Sequence, residues 1–159
     1  MSQINVDERD ADHDGFHDLP HGSAKFGFRR LRLDMLHNIS LRLARSHDYP
    51  DGSDRHGYEI TAPLDAEGQL DATSWREVRD RCRVRRIWAG APERRGRLVH
   101  RAGGAGGATW IIDYDDRSRE DDEIGFKLER HQFVEGEYVS IRDDDGGMHT
   151  FRVARVGRA

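Results

Sequence analysis

Apolar and polar residues alternate along much of the chain, most clearly near its end. Val139 and Ile141 alternate with Tyr138, Ser140 and Arg142, and beyond an acidic turn His149, Phe151 and Val153 alternate with Thr150, Arg152 and Ala154. Two such runs joined by turn residues predict a β-hairpin. A three-residue loop of Asp144, Asp145 and Gly146, with Gly146 left-handed, sets Val139 against Phe151 and Ile141 against His149, which places the apolar residues on one side. A two-residue Asp145-Gly146 loop would set odd positions against even ones and scramble that face.

The same period of two appears earlier. Ile39, Leu41 and Leu43 alternate with Ser40, Arg42 and Ala44, which predicts a first strand; the turn cluster Tyr49-Pro-Asp-Gly-Ser53 follows, and residues 57–62 form a second strand closed by Pro63. The period then changes. Trp75, Val78 and Cys82 stand at i, i+3 and i+7, and Arg76/Asp80 and Glu77/Arg81 are opposite charges at i, i+4, so a helix of about ten residues is predicted near 72–82. Asp71, Thr73 or Ser74 can cap it, Ser74 with Glu77 having capping-box spacing. Strand-type segments return at 84–88, 97–101, 109–114, 124–128, 137–142 and 148–156. Many short strands after one short helix point to a mainly β (α+β) domain, a small antiparallel barrel-like or sandwich sheet.

Residues 1–34 show neither period and are dominated by Asp, His and Gly. They predict a disordered arm over 1–35, acidic first and basic after, ahead of one globular domain over 36–159. Leu, Ile, Val and Phe together number 32 of 159 residues, so the core must be small. No apolar run approaches the roughly 20 residues that cross a bilayer, and the first residues do not read as a leader. A single cysteine, Cys82, leaves no internal disulfide. A cytoplasmic protein with no membrane partner is expected.

Charge is high but segregated. The formal net charge is only −4, yet residues 76–101 carry ten bases against three acids and residues 113–123 carry seven acids against two bases. Basic blocks invite a nucleic-acid interpretation. Of 26 basic residues, however, only Lys25 and Lys127 are lysine. Such a bias fits a GC-rich coding sequence, so a solvated face, balanced by Glu77, Asp80 and the 113–123 segment, is expected over phosphate contacts.

Several strings, His56-Gly-Tyr-Glu, the Trp75 to Trp88 segment, the Gly-Gly pair before Trp110, Asp121-Asp-Glu and Gly136-Glu-Tyr-Val-Ser-Ile-Arg-Asp143, resemble a group of small bacterial proteins that carries no assigned activity. The resemblance covers about residues 36–156. It implies a single folded unit and transfers no catalytic residue.

Asp10, Asp12, Asp14 and Asp18 follow D-x-D-x-D-G-x-x-D, which resembles a calcium loop, but His21 stands where a bidentate Glu belongs and no helix flanks it. His13, His17 and His21 lie in the same arm. The Ala102–Ala108 glycine run lacks the helix and Lys-Ser/Thr pair of a nucleotide loop and is expected to be a hairpin loop. Asp113 and Asp115, with Asp121, Asp122 and Glu123, can hold Mg²⁺ or act as acid and base. His100, His131 and His149 with Cys82 lack ligand spacing. Trp88 beside Arg83, Arg85, Arg86 and Arg97 has the composition of a stacking platform for single strands, although Trp88 and Trp110 are both expected in the core.

No nucleophile, base and oxyanion set assembles from spacing, and no cofactor motif is present. A non-enzymatic binding domain is therefore expected, its partner another protein or a second copy of itself. The alternatives are a nucleic-acid-binding barrel, or a metal-dependent enzyme using the acidic 113–123 region.

Overall fold

A computed structural model of the chain describes residues 35–103, 110–114, 123–126, 128–143 and 145–159. Eight antiparallel strands follow one another and close into a barrel: β1 (Leu36–Leu43), β2 (Ser53–Pro63), β3 (Arg83–Trp88), β4 (Arg94–His100), β5 (Trp110–Asp113), β6 (Glu123–Phe126), β7 (Tyr138–Arg142) and β8 (Met148–Arg158). Each pairs with the next, and β8 pairs with β1 to shut the ring. The barrel outcome, rather than the sandwich, follows from β1 being bonded along both edges. Register shifts at Arg42/Leu43 against β2 and at Ser40/Leu41 against β8 supply the curvature that closure needs.

The alternation in the sequence becomes inside and outside. Ile39, Leu41, Tyr58, Ile60, Val84, Leu98, Trp110, Ile112, Val139, Ile141, Phe151 and Val153 fill the interior, each nearly or fully buried. Tyr58 meets Phe151 edge to face, with ring centroids 5.0 Å apart. The final hairpin has the anticipated register, Val139 opposite Phe151 and Ile141 opposite His149. Gly146 has φ 83°, the left-handed conformation its place in the loop requires.

The one α-helix among the described residues, α1 (Ala72–Val78), continues as a 3-10 turn at Arg79–Arg81, so the predicted ten-residue segment is two pieces. Asp71 is its cap: the carboxylate accepts the backbone N–H groups of Thr73 and Ser74 at 2.9 and 3.1 Å. Ser74 is therefore not a cap but a buried residue of the first turn, and its hydroxyl donates to Asp71 at 2.6 Å. Val78 and Cys82 enter the core, while the Trp75 Nε1–H donates to the Leu98 carbonyl at 2.9 Å and ties the helix to β4.

Several strand ends differ from expectation: β1 begins at Leu36 rather than Ile39, and β2 at Ser53, at the end of the predicted turn, rather than at 57. β4 begins at Arg94, three residues before the predicted 97, and Leu128 belongs to a 3-10 turn rather than to β6. Gly96 fits the early start of β4: a Cβ there would lie 2.5 Å from the Asp113 carbonyl, so the glycine admits β5 at close range.

Candidate functional site

The β3–β4 hairpin carries an unusual ladder. Arg83 lies directly opposite Arg97, Arg85 opposite Arg95, and Arg86 opposite Arg94. Val84 and Leu98 are buried, so Arg83, Arg85, Arg95 and Arg97 occupy the outward positions and are exposed, whereas Arg86 and Arg94 fall on the inward side. Like charges directly opposite in an antiparallel pair oppose pairing rather than support it. The neighbouring ladders behave conventionally: Glu59 stands opposite Arg85 on the β2 side, and Asp113 opposite Arg97 on the β5 side.

This outward face forms the floor and walls of a groove of about 720 Å³, lined by Glu59, Thr61, Arg83, Arg85, Arg97 and Asp113 among others. Its cations are unequally satisfied. Glu93 bonds Arg95 at 2.9 Å and approaches Arg85 at 3.5 Å, and Asp113 lies 3.9 Å from Arg101. Arg83 and Arg97 have no ion pair among the described residues. Among the described residues the counter-charge on this outward ladder comes from Glu93 at the hairpin tip, with Asp113, a member of the acidic 113–123 segment, opposite Arg97.

The five residues of the candidate nucleic-acid set, Arg83, Arg85, Arg86, Trp88 and Arg97, divide between two faces. Arg83, Arg85 and Arg97 share the groove, but Arg86 and Trp88 sit on the inward side at one end of the barrel. There the Arg86 guanidinium lies 4.5 Å above the Trp88 ring. Trp88 is half-buried rather than fully inside, because the strand runs out of the core where it stands. Trp110, by contrast, is 1% exposed, as expected. The separation follows from strand parity: residues 83 and 85 are one step out of phase with 86 and 88.

Around Trp88 the structure gathers residues that the sequence left apart. His56 meets the indole edge to face at 4.6 Å, and His149 approaches it at 5.4 Å. Ser53 accepts the Arg55 backbone N–H at 3.2 Å, so its hydroxyl is free to donate to His56 Nδ1 at 2.7 Å, while Tyr49 lies 3.4 Å from Nε2. His149 donates from Nε2 to Asp143 at 2.8 Å. Burial, with Arg55 and Arg86 nearby, holds the His56 pKa below its ordinary value, so the ring is neutral. Both imidazoles are thus held by polar partners within a filled aromatic stack.

The remaining candidates are dispersed. His100 packs between Trp75 and Trp110, and burial, then Arg76, lowers its pKa against the opposing effect of Glu129. Cys82 is fully buried, its Sγ–H directed at the Val78 carbonyl, and burial with Asp80 nearby pushes its pKa up to about 12. It is a packing residue, not a thiolate. His100, His149 and Cys82 therefore serve separate regions, and the described residues contain no cluster of three or more metal-ligating side chains. The calcium-type motif of Asp10, Asp12, Asp14 and Asp18, the arm around it, the glycine run from residue 104 and the acidic residues 115–122 lie outside the described residues. No helix among the described residues is long and apolar enough to cross a membrane.

Cross-strand registry was the signal missing from the sequence. Arg83 and Arg97 are fourteen residues apart, and the register of the β3–β4 hairpin alone decides that they meet. Comparison with family models, curated proteins and solved structures gives no match, so the site rests on its own geometry.

Proposed function

We propose that this domain is a non-enzymatic binding module for a phosphate-bearing polyanion, held on the outer face of β3 and β4 by Arg83, Arg85, Arg95 and Arg97. The observation that carries it is the Arg-on-Arg register. Coding bias accounts for arginine in place of lysine, but not for two outward pairs of arginines placed directly opposite one another while the ladders on either side set an acid opposite an arginine. The mutual repulsion of those guanidiniums is relieved when phosphate oxygens, each able to take two parallel N–H bonds, enter between them. This ranks phosphate binding above a merely solvated face, and above an enzyme built on the acidic region, whose one outward described member, Asp113, stands against arginines. A cytoplasmic setting belongs to the same proposal.

Inorganic polyphosphate is the direct probe. Titration should show saturable binding to the native chain, weakened about tenfold in the double variant Arg83→Gln, Arg97→Gln, two phosphate contacts being lost. Equal binding by both proteins would refute the assignment.

A further inference from the structure

The groove does not end at β2. A second depression of about 360 Å³ is lined by Asn38, Ser40, Glu59, Thr61, Arg85, Arg155 and Arg158. Glu59, Thr61 and Arg85 line both depressions, which makes one trough crossing the strands in the order β4, β3, β2, β1, β8. Its middle is neutral. Thr61 donates to Asn38 at 2.8 Å, Ser40 donates to Glu59 at 2.6 Å, and the other Glu59 oxygen is paired with Arg42. Its far end is cationic again, since Arg155 and Arg158 are exposed and form no ion pair among the described residues.

We infer that the occupant of this trough is single-stranded nucleic acid, running around the barrel from Arg95 and Arg97 to Arg155 and Arg158. The inference rests on the face being a phosphate site and adds the ligand class and its path. The trough traverses four of the eight inter-strand steps that close the ring, so its two cationic ends lie half a circumference apart. A duplex is straight and stiff over about 150 base pairs and can meet such a convex surface only along a tangent. A flexible single strand can follow it. Alternate side chains along one strand are about 6.6 Å apart and opposed ones about 5 Å, so the four arginines of β3 and β4 form a grid on the scale of successive phosphates in an extended strand. Tyr114, which also lines the groove, is half-buried with the Arg94 guanidinium 3.9 Å over its ring, so contacts go mainly to the backbone, and binding is indifferent to base sequence.

Fluorescence anisotropy on the full chain separates the two levels of the inference. The probes are oligothymidylates of about four and about sixteen nucleotides, the span of site sizes that small barrels cover, and a duplex of the longer length. The substitutions Arg155→Gln and Arg158→Gln should weaken the longer single strand about tenfold and leave the short one and the duplex unchanged. Arg83→Gln with Arg97→Gln should weaken all three. If the longer single strand is as indifferent to Arg155 and Arg158 as the duplex, the wrapped path is wrong while the phosphate face stands. If no oligonucleotide responds to Arg83 and Arg97, the phosphate face falls as well.

Discussion

Single residues hold the ends of this barrel in place by fitting where nothing larger fits. Gly57 is the extreme case, because a Cβ there would lie 1.9 Å from the Leu41 carbonyl across the β1–β2 ladder, next to the bulge at Arg42/Leu43. Gly57→Ala should cost about 3 kcal/mol by urea denaturation, the upper part of the range for forced overpacking. His56 gives a prediction in pH. Its folded pKa is held below the unfolded value near 6.5, so on acidification the unfolded chain takes up a proton that the folded chain refuses. The stability linked to this histidine is therefore present above about 6.5 and lost as the pH falls toward the folded pKa. His100 acts in the same direction. Urea midpoints measured from pH 7.5 to 5 should fall with acidity, and His56→Gln should make the slope shallower; an unchanged slope would show that the ring is not held neutral.

At the scale of elements, α1 is a short helix that survives by attachment. Seven residues are too few for a stable isolated helix, so the Asp71 cap and the Trp75 bond to the Leu98 carbonyl carry much of its stability. Asp71→Ala should lower the unfolding free energy by about 1 kcal/mol or more, since three donors lose their acceptor. Trp75→Phe should cost a further increment of about 1 kcal/mol, measured in the same denaturation series. The elements were legible wherever period and turn chemistry agreed. Val139 to Phe151 could be aligned because one register alone puts the apolar residues together, and Gly146 selects it. β4 was only half legible: Arg94, Arg95 and Gly96 carry no apolar pattern, and Gly96 marks a close approach that only the position of β5 reveals. The Arg83–Arg97 and Arg85–Arg95 pairs were invisible for the same reason. A one-residue slip in the register of β4 would have turned its arginines to the other face.

For the whole molecule, the arrangement divides labour between two surfaces. The inner face is a small apolar core closed by α1, and the outer face bears arginines in numbers that the core does not need. The formal charge of −4 over the full sequence opposes non-specific attraction to phosphate, so a local cationic trough has to act at short range. Glu59 gives a graded check of that balance: Glu59→Gln removes the carboxylate from the middle of the trough and releases Arg42, and it should tighten binding of a long oligothymidylate while Arg83→Gln loosens it. Counterion release measures the number of phosphates engaged. The decisive experiment is the dependence of the association constant on salt concentration for a long oligothymidylate, compared between the native chain and the Arg83→Gln, Arg97→Gln variant. If each arginine holds one phosphate, the slope of log K against log salt should be shallower by about 1.4 in the variant. Parallel lines for the two proteins would mean that the facing arginines of β3 and β4 do not contact phosphate, and would contradict the account at its centre.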